Sequence, residues 1–330
     1  MRGKKIIMIS LQDHVGSGYA IAEAISLNTN HFVEYMVLLD DISGHNTHKY
    51  PYLYKKKTDI GAEPNSWEVP ETVLGYAQGM IDSADIIHFK GDEIPIDGKF
   101  YGLKIPDKKS IITVGGSFFR RGNTITSMPK HEISEYVEMF DVRTAITPDL
   151  NYPEFKGNWM PHAYDCMSIN NTWKNNKIPI IAHSPGLENK KGTEEFNEAC
   201  RILKDEGIKF DIDIIEDESR ANALERVSHA TIFFAEMSGC GWYGMSGVEA
   251  MSMGIPTVAY LSDEAIRQGN CGDTAVINCG KTIDTIVDTL KILLTDYDLK
   301  TLSKKSHQYA KDTYSYEVMG KTWRGIYEDL

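Results

Sequence analysis

The sequence is dominated by one rhythm, a short β-branched run, a polar or glycine-containing loop and a helical stretch, which stops in mid-chain and then begins again. It opens at once: Ile6-Ile7-Met8-Ile9-Ser10 leads through His14-Val15-Gly16-Ser17-Gly18 into a segment where Ala20, Ala24 and Leu27 keep helical spacing. Further runs at 32–39, 86–89, 111–114 and 144–146 are short, apolar and bounded by Asp, Gly or Pro. Strands of this kind separated by helices imply a parallel sheet with both faces covered. Between 165 and 177 the sequence turns polar, Asn-rich and aperiodic, which reads as a linker. The rhythm restarts at 178–182, passes through an amphipathic helix over 193–206 stopped by Gly207, and continues at 210–215, 230–234, 257–260 and 275–277. A chain of 330 residues is expected to divide into two such cores, since single cores stop growing near that length.

Composition narrows the function classes. No run approaches the ~18 uncharged apolar residues of a spanning helix, and Met1-Arg2-Gly3-Lys4-Lys5 leads into only a short apolar run, so neither a membrane span nor a signal segment is expected. The net charge of -12 opposes a phosphate backbone, although Lys55-Lys56-Lys57 is a local basic patch, so nucleic acid is a poor first partner. Cys166, Cys200, Cys240, Cys271 and Cys279 show neither CxxC spacing nor zinc-type pairing with His; they read as reduced thiols of a cytoplasmic protein with no metal site. The segment 40–70, rich in His, Tyr, Lys and Pro, is expected to be a surface excursion carrying acceptor specificity. Nothing in the sequence speaks to oligomeric state.

Four motifs follow one another in the second half: His183-Ser184-Pro185-Gly186, Lys191-Gly192-Thr193, Gly241-Trp242-Tyr243-Gly244, and Gly247-Val248-Glu249-Ala250-Met251-Ser252-Met253-Gly254-Ile255-Pro256-Thr257-Val258. In this order they resemble the C-terminal domain of family-four retaining glycosyltransferases (glycosyltransferase group 1), in a variant with Gly-Trp-Tyr-Gly for the usual Glu-Gly-Phe-Gly. The resemblance covers the second half well and the first half in outline. It implies an α/β chain of GT-B fold, two Rossmann-like domains whose parallel sheets face a central cleft. Residues 1–165 would form the acceptor-side domain, 166–313 the nucleotide-sugar-binding domain, and 314–330 a closing helix that crosses back, with Trp323 and Tyr327 on it. The implied reaction is metal-independent, retaining transfer from a nucleoside-diphosphate sugar to a hydroxyl acceptor, with no cofactor besides the donor.

The chemistry of these positions can also be argued from the residues. Gly244 to Gly247 precede a helix with apolar Val248, Met251 and Met253, so open N–H groups of Gly244, Met245, Ser246 and Gly247, beside Tyr243, can face a diphosphate. Glu249, one turn on, can accept hydrogen bonds from ribose hydroxyls, as the resembled family's matching Glu does. The plainer alternative is that the glycines only pack the helix and Glu249 meets solvent. Lys191 matches the family lysine that neutralises donor phosphate, with Lys190 its rival; the accompanying arginine is absent, Ser184, Pro185 and Gly186 standing in that region.

Two departures bear on catalysis. Gly241 stands where the family has its other Glu, and Gly115-Gly116-Ser117 follows the 111–114 strand where a catalytic His is expected. No catalytic side chain is therefore assigned; Glu236 and His162 are the candidates. Gly16, Ser17 and Gly18, with His14, Gly115 and Gly116, form the expected acceptor and phosphate loops, and His88 a further polar wall, each His having a structural alternative. A non-catalytic sugar-nucleotide-binding protein and a sugar-nucleotide epimerase of related architecture are the competing functions.

Overall fold

The computed structural model describes residues 2–11, 13, 16–38, 71–91, 94–115, 137–151, 153–185, 191–237, 241–269 and 274–330. His14, Gly116, Lys190, Cys240, Cys271 and the 40–70 excursion lie outside the described residues. The chain forms two compact units, one of Met1–Ala163 with Tyr316–Leu330, the other of Tyr164–Ser315.

The first unit is built on a parallel sheet of order β2-β1-β3-β6-β7-β8, with β1 Lys5–Ser10, β2 Phe32–Val37, β3 Ile86–Lys90, β6 Lys109–Val114, β7 Val142–Ala145 and β8 Asn158–Trp159. A small antiparallel pair, β4 Lys99–Phe100 and β5 Leu103–Lys104, stands beside it. Alternation along β1 explains why every residue of its run is apolar. Ile6 and Met8 pack with Ile21, Ala24 and Ile25 of helix α1 (Ser17–Asn28), while Ile7 and Ile9 pack with Ala77 and Ile81 of α2 (Glu71–Ser83).

The second unit repeats the plan with the order β10-β9-β11-β12-β13, all parallel. Its strands are β9 Ile180–His183, β10 Asp211–Ile214, β11 Ile232–Glu236, β12 Thr257–Ala259 and β13 Ile277–Asn278. Its helices are α3 Thr193–Asp205, α4 Arg220–Ser228, α5 Met245–Ser252, α6 Asp263–Gln268, α7 Ile283–Thr295 and α8 Leu299–Tyr314. Phe196 of α3 stacks on Phe234 of β11 at 4.7 Å, with Ile286 and Leu290 of α7 in the same core. The Asn-rich stretch expected as a linker is laced to this unit. Thr172 N donates to Met253 O, Trp173 Nε1 to Thr231 O, and the Asn176 amide to His229 O and Thr231 Oγ1. Its polar side chains satisfy turn and strand-end groups, a task that has no sequence period.

The last helix, α9 (Tyr316–Asp329), belongs to the first unit and lies on α1. The approach is close enough that a side chain on Gly320 would run into Ala24 O, and the Asn28 amide bonds both Ala24 O and Tyr316 O. Trp323 and Tyr327 are fully buried in the core shared with β1. Cys166, Cys200 and Cys279 are buried free thiols, pushed up to about 11, 12 and 12 by burial. Among the described residues no helix is long and apolar enough to cross a membrane.

His88 is a core residue, correcting its reading as a polar wall. Its Nδ1 pairs with Tyr327 Oη at 2.7 Å and its Nε2 with Thr113 Oγ1 at 2.6 Å, and Thr113 in turn pairs with Thr144. Burial, assisted by the Lys90 charge, pushes its pKa down to about 3. In the second unit burial pushes His183, bonded to Phe234 O and Thr193 Oγ1, down to about 4. Unfolded, both titrate near 6.5. The unfolded chain therefore takes up protons first, and stability that is whole above about pH 6.5 drains as pH falls toward those lowered values. Urea midpoints should fall between about pH 7 and 5, above the range of ordinary carboxylates. The fall should be smaller in His88→Gln; equal slopes would mean that folded His88 takes up its proton as readily as the unfolded chain.

Candidate functional site

The loop between β11 and α5 is shaped before any ligand is considered. Gly241 holds φ +60, and a Cβ there would lie 2.5 Å from the Ser262 side chain, so a glutamate at this position would be strained and would force Ser262 to shift. Trp242 and Tyr243 stack at 4.5 Å, and Tyr243 Oη meets Tyr309 Oη at 2.9 Å and Tyr314 Oη at 2.5 Å. Tyr243, expected at the donor, is thus an interior anchor of the loop, its phenol pKa raised by burial.

Gly244 is the N-cap of α5 and gives it no side-chain cap, whereas Ser219, Ser262, Thr282 and Asp298 cap α4, α6, α7 and α8. Gly247 N and Val248 N reach Gly244 O, but the amides of Met245 and Ser246 have no partner among the described residues. Helix α3 also has a glycine N-cap, Gly192, but carries Glu194 and Glu195 in its first turn; α5 has no acid there. Of the two glycine-capped helix starts in the second unit, that of α5 is the one without an acid in its first turn and so suits an anion.

Lys191 lies at this N-terminus. Its Nζ donates to Ser184 O at 3.0 Å and to Ser246 Oγ at 3.3 Å. Burial lowers its pKa, opposed by the charges of Glu236 and then Glu249. Glu236, at the end of β11, brings Oε2 to 3.0 Å from where a Gly244 Cβ would sit, so the absent side chain makes room for the carboxylate. Glu249 is 15% exposed and receives Arg220 Nε at 3.1 Å and Nη2 at 2.5 Å, both on Oε1. Lys191, Gly244, Met245, Ser246, Gly247, Glu249 and Glu236 are therefore brought together, and Arg220 is an addition to them. A residue 29 positions away on another helix left no signal in the sequence.

The first unit disposes of its own glycine loop differently. The sheet order runs outward in both directions from β1 and β3, and at their C-terminal ends, the switch point of such sheets, Asp13 meets Lys90 at 3.3 Å. Asp13 also accepts Gly18 N at 2.9 Å and Tyr19 N at 3.0 Å. Burial works against its charge, but Lys90 and these amides outweigh it and hold the carboxyl below its ordinary pKa. The α1 N-terminus, Gly16, Ser17 and Gly18, thus faces a carboxylate of its own chain, and a Gly18 side chain would strike Tyr35. Asp13 and Lys90 were missed, although a lysine closing an apolar strand run was a usable signal. Gly115 abuts Ile146, so a side chain there needs Ile146 to move. His162 is half-buried in the first unit beyond β8, whereas Glu236 is in the second. A cavity of about 720 Å³ lined by Arg2, Lys5, Phe32 and Lys109 opens at the other, N-terminal, edge of this sheet.

No known protein family matches the sequence, and no curated protein does. Solved structures match over almost the whole chain. Sucrose-phosphate synthase from Thermosynechococcus elongatus is 10% identical, with 99% of each chain covered and a TM-score of 0.62. Anabaena HepE, in complex with UDP and glucose, is 10% identical, with 99% of this chain and 100% of that one covered and a TM-score of 0.61. The lipopolysaccharide outer core galactosyltransferase WaaB, in its apo form, is 12% identical, with 99% and 100% covered and a TM-score of 0.60. At these identities the likeness shows the fold, the GT-B α/β architecture of two Rossmann-like halves expected from the sequence.

The Asp13 and Lys90 side chains are 2% and 8% exposed. Lys90→Met leaves a carboxylate buried without its cation and should destabilise by about 3 to 5 kcal/mol, with Asp13→Asn added in the same chain restoring part of the loss. Chemical denaturation measures this; a loss under about 1 kcal/mol would place the pair in solvent.

Proposed function

We propose that the chain is a glycosyltransferase moving a sugar from a nucleoside-diphosphate sugar to a hydroxyl acceptor, retaining in outcome and without a required metal. The observation that carries the reading is the N-terminus of α5, where two amides without a partner among the described residues meet the Lys191 ammonium, with the Glu249 carboxylate one turn along the same short helix. Amides and ammonium suit a diphosphate, and the carboxylate suits the diol of its ribose. The GT-B fold supports it, and a protein of that fold, Anabaena HepE, is seen with UDP and glucose.

In this reading the diphosphate lies over Met245 and Ser246, with Lys191 neutralising the charge that grows as the bond from sugar C1 to phosphate oxygen breaks. The acceptor oxygen bonds to C1 on the face the phosphate leaves, and the departing phosphate oxygen takes the acceptor proton. Glu236 is assigned to donor sugar hydroxyls. A cytoplasmic location belongs to the same proposal. A second reading, sugar-nucleotide binding without transfer, is favoured by the glycines at 115 and 241, which leave no side-chain acid or base at either place. Incubation with candidate donors separates them: transfer or slow donor hydrolysis supports the enzyme, and tight binding without turnover the binder. Epimer formation would instead identify an epimerase.

Two substitutions test the site. Glu249→Ala should weaken nucleoside-diphosphate binding by about 1.5 to 3 kcal/mol, the range for hydrogen bonds to a charged group, in a chain that still folds. Lys191→Ala should weaken a nucleoside diphosphate far more than its nucleoside, since only the former presents phosphate charge. Calorimetry reads both, with Lys190→Ala as the control; equal losses for diphosphate and nucleoside would remove Lys191 from the phosphates.

A further inference from the structure

Both donor groups that reach Glu249 come from Arg220, and both land on the same oxygen, Oε1. Oε2 has no partner among the described residues, and the carboxylate is only partly exposed. A side-on pair would have engaged both oxygens; this end-on one fixes the carboxylate at one corner and leaves the other available. Arg220 is itself placed by the fold, as the first residue of α4, whose Ser219 cap sets where that helix begins.

Charge points the same way. Glu236 and Glu249 both act on the Lys191 ammonium, so in this group of described residues two carboxylates face one ammonium. A diphosphate brought to that group would add negative charge to a net negative set. Arg220 supplies the second cation, from α4, where the loop Ser184-Pro185-Gly186 has none. It also prevents a competing arrangement, since without Arg220 the nearby ammonium of Lys191 is the remaining attraction for Glu249.

We infer that Arg220 is a positioning residue of the nucleotide site, which holds Glu249 by Oε1 so that Oε2 receives both hydroxyls of a ribose, and thereby makes the site select ribonucleotides over 2′-deoxyribonucleotides. The inference rests on the donor-site reading above. One carboxylate oxygen has lone pairs for both hydroxyls of a vicinal diol, and a 2′-deoxy sugar offers only one. Losing a hydrogen bond to a charged acceptor corresponds to a discrimination of about 10-fold or more.

Arginine and lysine variants separate holding from neutralising. Lys at 220 keeps a charge but cannot place two fixed donors on one oxygen, and Met keeps neither. Titration calorimetry would compare UDP, ADP and GDP with their 2′-deoxy forms on the full chain. In the wild type, the base that binds best should favour its ribo form by about 10-fold or more. Arg220→Met should bring that ratio close to one, as should Glu249→Ala, with the double variant adding nothing, while overall diphosphate affinity also falls. Arg220→Lys should recover diphosphate affinity but not the ratio. A general loss of structure would lower both forms equally and leave the ratio unchanged, and thermal melts check folding directly. An undiminished ratio in Arg220→Met, or a ratio of one in a wild type that binds diphosphates, would overturn the inference and leave the donor site standing. Failure of the wild type to bind any of the six nucleotides would overturn both.

Discussion

Helix N-termini must find acceptors for their leading amides, and how each does so decides the chemistry of this molecule. Most helices of the second unit place a Ser, Thr or Asp side chain on a leading amide. In both units a glycine loop follows a buried strand and opens a helix, yet the outcomes are opposite. At α1 the chain supplies its own anion, Asp13, and steadies it with Lys90. At α5 a lysine stands by with no carboxylate on the leading amides, and the anion must come from elsewhere. One local motif thus yields a closed, structural end in one case and an open one in the other, the difference being the Asp13–Lys90 pair at α1 against Lys191 at α5.

How much of this could be read from the sequence depends on the range of the interaction concerned. The runs at β1, β3 and β6 were legible because sheets covered on both faces demand apolar residues at every position, as Ile6 to Ile9 show by having no exposed surface. Ends were less legible. Lys90 and Glu236 close β3 and β11, where a charge looks like the start of a loop; in the fold Lys90 pairs with Asp13, and the charge of Glu236 acts on Lys191. Gly244, Ser246 and Glu249 were legible as a group, since a helix start places neighbours in sequence beside one another in space. Asp13 with Lys90, and Arg220 with Glu249, join residues 77 and 29 positions apart, and no pattern in one strand or helix encodes such pairings.

The glycine at 241 shows how an apparent loss of function can have a packing cause. Gly241 is favoured by a left-handed turn pressed against Ser262, whereas a side chain at Gly115 would need only Ile146 to move, so the packing cause holds for the glycine at 241. The turn at Gly241 directs the chain so that Trp242 and Tyr243 go inward and Gly244 arrives at the head of α5. The geometry that disfavours a carboxylate at 241 is therefore the geometry that presents the open amides.

That presentation is rigid for a reason that lies outside the loop. Tyr243 Oη is held by Tyr309 and Tyr314 of α8, and Tyr314 O accepts Tyr164 N, so the residue that ends α8 ties the loop to the segment where the chain enters the second unit. Asn171 continues the tie, reaching Ser303 of α8 while packing against Gly254 at the far end of α5. Helix α5 is thus fastened at its head through tyrosine hydroxyls and near its tail through an asparagine, both to α8. Open amides can select an anion only if they stay in place without it. A helix of eight residues would not do so alone. The polar stretch that carries no sequence period is, on this account, part of what keeps the site in position.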